Sequence, residues 1–159
     1  MATAATAGTT QFLTYRLGEE VFALDISRVR EVLDFTTVTR VPRTPEFMRG
    51  VINLRGSVVP VVDLRLKFGM TITERTVNTC VIIVEVTVDG ETTLLGVLAD
   101  SVQEVIELEA DSIVPAPRIG ARLNTEFIQG MGERNGRFII VLEIDKVFSS
   151  EERLLAQTV

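Results

Sequence analysis

The chain of 159 residues repeats itself at an offset of about 80 residues, and this repeat restricts its possible folds more than any other feature. The matches in one register are Glu46-Phe47 with Glu126-Phe127, Gly50 with Gly130, Gly56 with Gly136, and Val61 with Val141. Upstream the offset shortens to 73, where Val29, Glu31 and Val32 meet Val102, Glu104 and Val105. A longer loop at 111–124 in the second half accounts for the drift. Unless the matches are coincidences among valine-rich strands, two similar units follow each other.

The composition indicates that these units are built from β-strands. Val, Ile and Thr contribute 52 residues, and β-branched side chains favour a pleated sheet over a helix. Turn signals separate seven strand-like segments, at 12–17, 21–24, 58–64, 81–88, 94–99, 102–108 and 138–144. We therefore predict a mainly β protein with two small barrels, subdomain 1 at 11–79 and subdomain 2 at 80–148, which share apolar surface and leave a groove for binding between them.

Helical and unstructured segments are predicted outside the strands. Apolar spacing favours a helix at 25–33, and Thr44-Pro45-Glu46 is typical of a helix start, with Gly50 suited to its end. Ser149 and Glu152 form a capping box that opens a C-terminal helix at 149–159. Residues 1–10 are expected to be a disordered tail.

The residues that are missing or rare exclude several classes of function. The chain has no histidine and one cysteine, Cys80, which excludes a Ser-His-Asp triad, an ordinary zinc site and an internal disulfide. Its apolar runs are far shorter than the roughly 20 residues that cross a bilayer. These counts argue against classical hydrolase chemistry. We expect a cytoplasmic protein without a metal or a cofactor, in which Cys80 is a buried and inert thiol.

Charge is distributed unevenly along the chain. Residues 1–79 carry a net charge of +2 and residues 80–159 a net charge of −8. This asymmetry favours protein partners with complementary patches, whereas the overall charge of −6 disfavours nucleic acid. The alternative is that the acidic residues of the second half are solvated outward positions of a strand, namely Glu104, Glu107, Glu109 and Asp111.

An arginine stands where a turn residue is expected. Asn135-Gly136 in the second half is typical of a type I′ hairpin turn, and the equivalent residues in the first half are Arg55-Gly56. Arg55 breaks the local rule, which makes it a functional candidate unless the first turn is of a type that tolerates arginine. Glu31 is a possible ion-pair partner for Arg55.

The motif around Arg55 closely resembles the hallmark of the CheW family of chemotaxis coupling proteins. It reads Gly50-Val51-Ile52-Asn53-Leu54-Arg55-Gly56 and continues as Ser57-Val58-Val59-Pro60-Val61-Val62-Asp63-Leu64. Further family-like residues occur in order over about 11–148, including Val29-Arg30-Glu31-Val32, Val41-Pro42, Gly96-Val97-Leu98-Ala99-Asp100, and Pro115-Ala116-Pro117.

The resemblance implies a scaffold without catalysis, built from two five-stranded SH3-like barrels. It implies binding to the regulatory domain of the histidine kinase CheA and to the cytoplasmic tip of methyl-accepting chemoreceptors, hence an association with receptor arrays through protein partners. By motif position, the implied receptor-binding residues are Val29, Glu31, Gly50, Arg55, Gly96 and Val102, with the two glycines allowing close backbone approach. The candidates for kinase binding are Val38, Val41, Val114 and Ile119.

Two other functions remain possible from the residues alone. A β-barrel of this size is able to bind a small ligand in its groove without any signalling partner. An enzyme is the other alternative, although no nucleophile has an evident base near it in sequence and no glycine-rich phosphate loop follows a strand.

Overall fold

The fold consists of ten strands in two five-stranded sheets, seen in a computed structural model that describes residues 9–88, 90–115 and 127–147. The strands are β1 (Thr9–Leu17), β2 (Glu20–Asp25), β3 (Val29–Asp34), β4 (Met48–Leu54), β5 (Ser57–Val62), β6 (Cys80–Val88), β7 (Glu91–Ala99), β8 (Ser101–Glu109), β9 (Ile128–Arg134) and β10 (Arg137–Leu142). Two short helices, α1 (Leu64–Lys67) and α2 (Ile144–Val147), follow β5 and β10. No helix within the described ranges is long and apolar enough to span a membrane.

The two sheets have the same strand pattern, which the sequence repeat predicts. Sheet 1 has the order β8-β1-β2-β10-β9, and sheet 2 has the order β3-β6-β7-β5-β4. Neighbours pair antiparallel except β2 with β10 and β5 with β7, which are parallel. Each strand of sheet 1 therefore has a counterpart at the same position in sheet 2, and the mainly β prediction is confirmed.

The boundary predicted between residues 79 and 80 does not separate the sheets, because the two halves of the chain exchange their first hairpins. The β1–β2 hairpin lies between β8 and β10 of the second half, and the β6–β7 hairpin lies between β3 and β5 of the first. The parallel pairs β2–β10 and β5–β7 make this exchange, and they join residues far apart in sequence. The sheets thus form one intertwined unit and not two consecutive ones.

Two of the predicted helices are wrong. Residues 25–33 form a single 3-10 turn, Ile26–Arg28, followed by strand β3, which pairs with β6. Residues 44–50 form a turn and the start of β4, and Gly50 lies inside that strand with φ 143°. In both places pairing with a neighbouring strand overrides the local helix signal. Strand β9 was not predicted, and the C-terminal helix at 149–159 lies outside the described residues.

The buried apolar side chains form three clusters, one of which holds the two sheets together. The largest lies between the two sheets and includes Tyr15, Phe22, Ile82 and Leu142. Each sheet also has its own cluster on the opposite face. Ile83 follows Ile82 and belongs to the cluster of sheet 2, as expected where successive side chains point to opposite faces. The shared apolar surface that the short repeats predict is therefore present.

Two ion pairs with opposite polarity connect the sheets at repeat-related positions. Arg65 in α1 lies 2.7 Å from Asp100, and Asp100 also accepts a hydrogen bond from the backbone N–H of Gly18 at 2.6 Å. Asp145 in α2, at the position equivalent to Arg65, pairs with Arg28 in the 3-10 turn. The first pair anchors α1 to the connection between β7 and β8, and the second anchors α2 to the connection between β2 and β3. Both connections run from one sheet to the other.

The predicted division of charge does not become a division between the sheets. Since both sheets contain strands from both halves, the strands of sheet 1 carry a net charge of −3 and those of sheet 2 a net charge of −2. The positive excess of the first half lies in its turns and loops. Local groups of arginines therefore matter more for binding than the charge of either half.

Candidate partner-binding surface

The turn that carries Arg55 has the same left-handed geometry as its repeat partner. Arg55 and Gly56 have φ of 50° and 90°, and Asn135 and Gly136 have φ of 54° and 79°. Positive φ at both central residues is the geometry of a type I′ hairpin turn. The Asn53 side chain supports the first turn by accepting a hydrogen bond from the Gly56 N–H at 2.8 Å. Arg55 therefore occupies a backbone conformation that arginine does not favour.

Arg55 and Glu31 form the predicted ion pair. Both terminal nitrogens of Arg55 donate to the Glu31 carboxylate, one of them at 3.4 Å and the other closer. Through this contact the β4–β5 turn meets β3, which is the edge strand at the other end of the strand order of sheet 2. The Arg55 side chain remains 71% exposed, so its guanidinium is oriented by Glu31 and still accessible to a partner.

This pair also controls the ionisation of Glu31. The hydrogen bonds from Arg55 lower the pKa of the Glu31 carboxyl below its usual value. Because that pKa is lowered in the folded state, the pair is fully formed at neutral pH and is lost only as the pH falls through the lowered pKa. The Glu31–Arg55 pair therefore keeps both of its charges at physiological pH.

Apolar side chains from the edge strands of both sheets lie beside the shared cluster. Val29 on β3 and Val102 on β8 are half-buried and pack against it. Val32 and Val105, three residues further along each strand, are 40% and 48% exposed. The structure thus places predicted receptor-binding residues of both sheets at the margin of the seam between them.

Gly50 and Gly96 are both buried, so the close approach predicted there takes place within the chain. A Cβ on Gly50 would lie 2.1 Å from the carbonyl oxygen of Thr39. At Gly96 it would lie 2.8 Å from a methyl group of Val81. Neither glycine exposes its backbone at the surface in this structure.

Replacing Gly50 with alanine is expected to destabilise the fold by about 3 kcal/mol or more, because the methyl group overlaps a backbone oxygen that cannot simply rotate away. The overlap breaks the backbone pairing of Thr39 with Val51. Chemical denaturation measures the change. Gly56→Ala is the matched control, since Gly56 also has positive φ but has open space around its Cβ position. A cost for Gly50→Ala no larger than for the control would contradict this role.

The kinase-binding candidates lie at repeat-related positions on the two sheets. Val38 and Val41 flank the bridge between Thr39 and Val51, and Val114 forms the equivalent bridge with Met131. Val38 and Val41 are half-buried, whereas Val114 is 49% exposed. Ile119 lies outside the described residues.

Val38 lines a cavity of about 530 Å³ beside β4. The cavity is bordered by apolar side chains, including Phe35 and Ile72, and by three arginines, Arg40, Arg49 and Arg75. Arg75 lies over the ring of Phe35 at 4.8 Å. Val38 was predicted from the sequence and the arginines were not, because Arg40 and Arg75 meet only when the loops at 35–47 and 69–79 come together around this cavity.

Asp63 is a further residue that the sequence analysis missed. Its side chain is fully buried and accepts hydrogen bonds from the N–H and the hydroxyl of Thr73 at 2.9 and 2.7 Å. It also accepts from the Arg65 N–H at 3.0 Å and faces Arg49 at 3.3 Å. Asp63 thus fixes the loop at 69–79, which forms one wall of the cavity.

No group of three or more metal-ligating side chains is found within the described ranges. Cys80 is half-buried and its thiol donates to the Asn78 carbonyl at 3.2 Å. The thiol is therefore less buried than predicted, and its partial burial raises its pKa, which disfavours the reactive thiolate.

Comparison with known proteins identifies the family. Residues 11–152 match the family model for the CheW-like domain. The chain belongs to the CheW-like domain family. It is 39% identical over 149 residues to the chemotaxis protein CheW of Klebsiella aerogenes, and the aligned region covers 94% of this chain and 87% of that protein. It is 35% identical over 148 residues to the chemotaxis protein CheW of Rhizobium meliloti, covering 93% of each chain.

The fold agrees with a solved member of the CheW-like family. The crystal structure of the scaffolding protein TtCheW from Thermoanaerobacter tengcongensis superposes with a TM-score of 0.80 at 34% identity, covering 90% of both chains. Together with the sequence relatives, this similarity makes the chain a chemotaxis scaffold protein of the CheW-like family.

Proposed function

We propose that this chain is a non-enzymatic adaptor that binds the cytoplasmic tip of methyl-accepting chemoreceptors and the regulatory domain of the histidine kinase CheA. The observation that supports it best is the exposed Arg55, which Glu31 orients, together with Val29 on the same strand as Glu31, which packs against the cluster between the sheets. A charged group with fixed geometry beside apolar side chains is suited to recognise a helix that lies in a groove. Scaffolding requires such surfaces and no reacting groups.

The receptor-binding surface in this proposal combines residues of both sheets. Val29 and Val102 provide the apolar contact, while Arg55 and Glu31 form its charged rim. Gly50 and Gly96 contribute indirectly, because they allow the tight internal packing that positions β4 and β7. The surface therefore depends on how the two sheets sit against each other, which the two ion pairs at α1 and α2 help to fix.

The kinase-binding surface in this proposal lies around the bridge between Thr39 and Val51. Val38 and Val41 supply its apolar part, and Arg40 and Arg75 at the cavity rim supply charge. The repeat-related residues Val114 and Ile119 on the other sheet form a second contact. Two kinase contacts on opposite sheets allow one adaptor to join two kinase domains. By binding receptors and kinase, the adaptor becomes part of the receptor array at the membrane without entering the membrane itself.

Binding of each partner tests the proposed function. Purified chain is titrated by calorimetry with a soluble receptor cytoplasmic fragment and, separately, with the CheA regulatory domain. We expect saturable binding of both, and binding of the second partner after saturation with the first. Absence of binding to either partner would overturn the proposal.

A further inference from the structure

We propose that the β9–β10 turn of sheet 1 carries a second docking surface, which takes an acidic protein segment that presents a carboxylate beside an apolar side chain. This inference rests on the proposed adaptor function for the identity of the partners. The surface consists of Arg134, Arg137, Glu104 and the pocket they surround. It lies at the repeat-related position of the Glu31–Arg55 pair, on the other sheet.

Two arginines face each other across this hairpin. Arg134 and Arg137 are direct partners in the antiparallel pairing of β9 with β10, and both are exposed. Like charges directly opposite each other destabilise a strand pair. Neither guanidinium is within ion-pair distance of a carboxylate in the part of the chain that the structure describes. The arrangement therefore lowers the stability of the isolated chain, and a partner's anion would relieve the repulsion.

The repeat provides an internal comparison for this pair. The equivalent residues in the first hairpin are Leu54 and Ser57, which also face each other across the strands. Leu54 is half-buried and packs against the apolar cluster of its own sheet. Arg134 is exposed in its place, so a charged side chain stands where a leucine packs beside the cluster of the other sheet.

A pocket of about 130 Å³ opens where the leucine is missing. Ile106 and Ile139 are buried members of the sheet 1 cluster and form its apolar floor, and Val21 packs beside them. Arg134, Arg137 and Glu104 lie at the rim. An apolar floor under a rim with two cations is a surface that binds an apolar side chain and an adjacent carboxylate together.

Charge and size both point to a protein segment as the occupant. Glu104 supplies one negative charge against two guanidinium groups, so the rim keeps a net positive charge. Asn135 stands where the first hairpin has Arg55, and among the described residues Glu104 makes no ion pair like that of Glu31. Ligand pockets for drug-sized molecules usually span about 300–1,000 Å³, whereas this one fits a single side chain.

Replacing Arg134 with leucine and Arg137 with serine tests the inference, because these residues already occupy the equivalent positions in this fold. The double variant is expected to bind the receptor fragment or the CheA regulatory domain about tenfold more weakly at low ionic strength, with a smaller difference at high salt. Its thermal midpoint is expected to rise by about 2 °C, since the repulsion is removed and a leucine is placed beside the apolar floor of the pocket. A lysine pair at 134 and 137 is the control and should keep most of the affinity.

A partner-independent probe separates this inference from the proposed function. A copolymer of glutamate and tyrosine supplies carboxylates beside apolar rings, and the wild-type chain should bind it more tightly than the leucine–serine variant. If neither protein partner binds the wild type but the copolymer distinguishes the two chains, the adaptor proposal fails and the docking surface stands. Equal binding of every probe by wild type and variant, or a fall in thermal midpoint with unchanged binding, would overturn the docking surface.

Discussion

Replacing Asp63 with alanine is expected to lower the free energy of unfolding by about 3–5 kcal/mol, the cost of removing one partner from a buried, charged network. The fully buried carboxylate accepts hydrogen bonds from Thr73 and from the Arg65 backbone, and it faces Arg49. Without it, these donors lose their acceptor in the protein interior. The loop at 69–79 then loses its anchor, and denaturant unfolding measures the loss.

Glu143→Ala is the matched control for Asp63→Ala, because the repeat places Glu143 at the equivalent position. The backbone N–H groups of both residues make the same contact, Asp63 to the Phe47 carbonyl and Glu143 to the Phe127 carbonyl. The Glu143 residue is half-buried, and its substitution is expected to cost about 0.5 kcal/mol or less. Equal costs for the two variants would contradict the role assigned to Asp63.

Replacing Arg55 with glutamate is expected to weaken receptor binding by at least about tenfold while leaving the fold intact. The change puts a like charge beside Glu31 and reverses the charge that faces the partner, and like-charge contact across an interface is strongly unfavourable. The fold should tolerate it, since the Arg55 side chain is 71% exposed and surface ion pairs contribute little to stability. Calorimetric titration with the receptor fragment, together with thermal unfolding, measures both effects.

A charge exchange distinguishes direct contact from orientation within the chain. Arg55→Glu combined with Glu31→Arg restores an ion pair between these two positions but keeps the reversed charge at the turn. If Arg55 contacts the receptor, binding stays weak in this double variant. Full recovery of binding would show that only the intrachain pair matters, and wild-type affinity in Arg55→Glu alone would contradict the proposed surface.

Local signals in the sequence were sufficient for the hairpins and for the candidate pair. Asn135-Gly136 and Arg55-Gly56 mark two turns with the same geometry, and the repeat brings Glu31 and Arg55 into consideration together. The helix predicted at 25–33 failed because its apolar spacing competes with pairing of β3 to β6, a contact with residues about 50 positions away. Propensity within a short window does not include such contacts.

The exchange of hairpins between the two halves was also beyond sequence analysis. A repeat predicts that two similar units exist, but it does not state which copy of each strand completes which sheet. That choice depends on the parallel pairs β2–β10 and β5–β7, which form only in the assembled structure. The same holds for Asp63 and for the arginines of the cavity, whose partners lie on separate loops.

The central claim is that this chain couples receptors to the kinase, and reconstitution of receptor-dependent kinase activity tests it most directly. Receptor fragments assembled on vesicles are mixed with CheA, and autophosphorylation is measured with and without the chain. We expect that receptors activate the kinase only when the chain is present, and that Arg55→Glu at equal concentration fails to support activation. Equal kinase activity with and without the wild-type chain would contradict it.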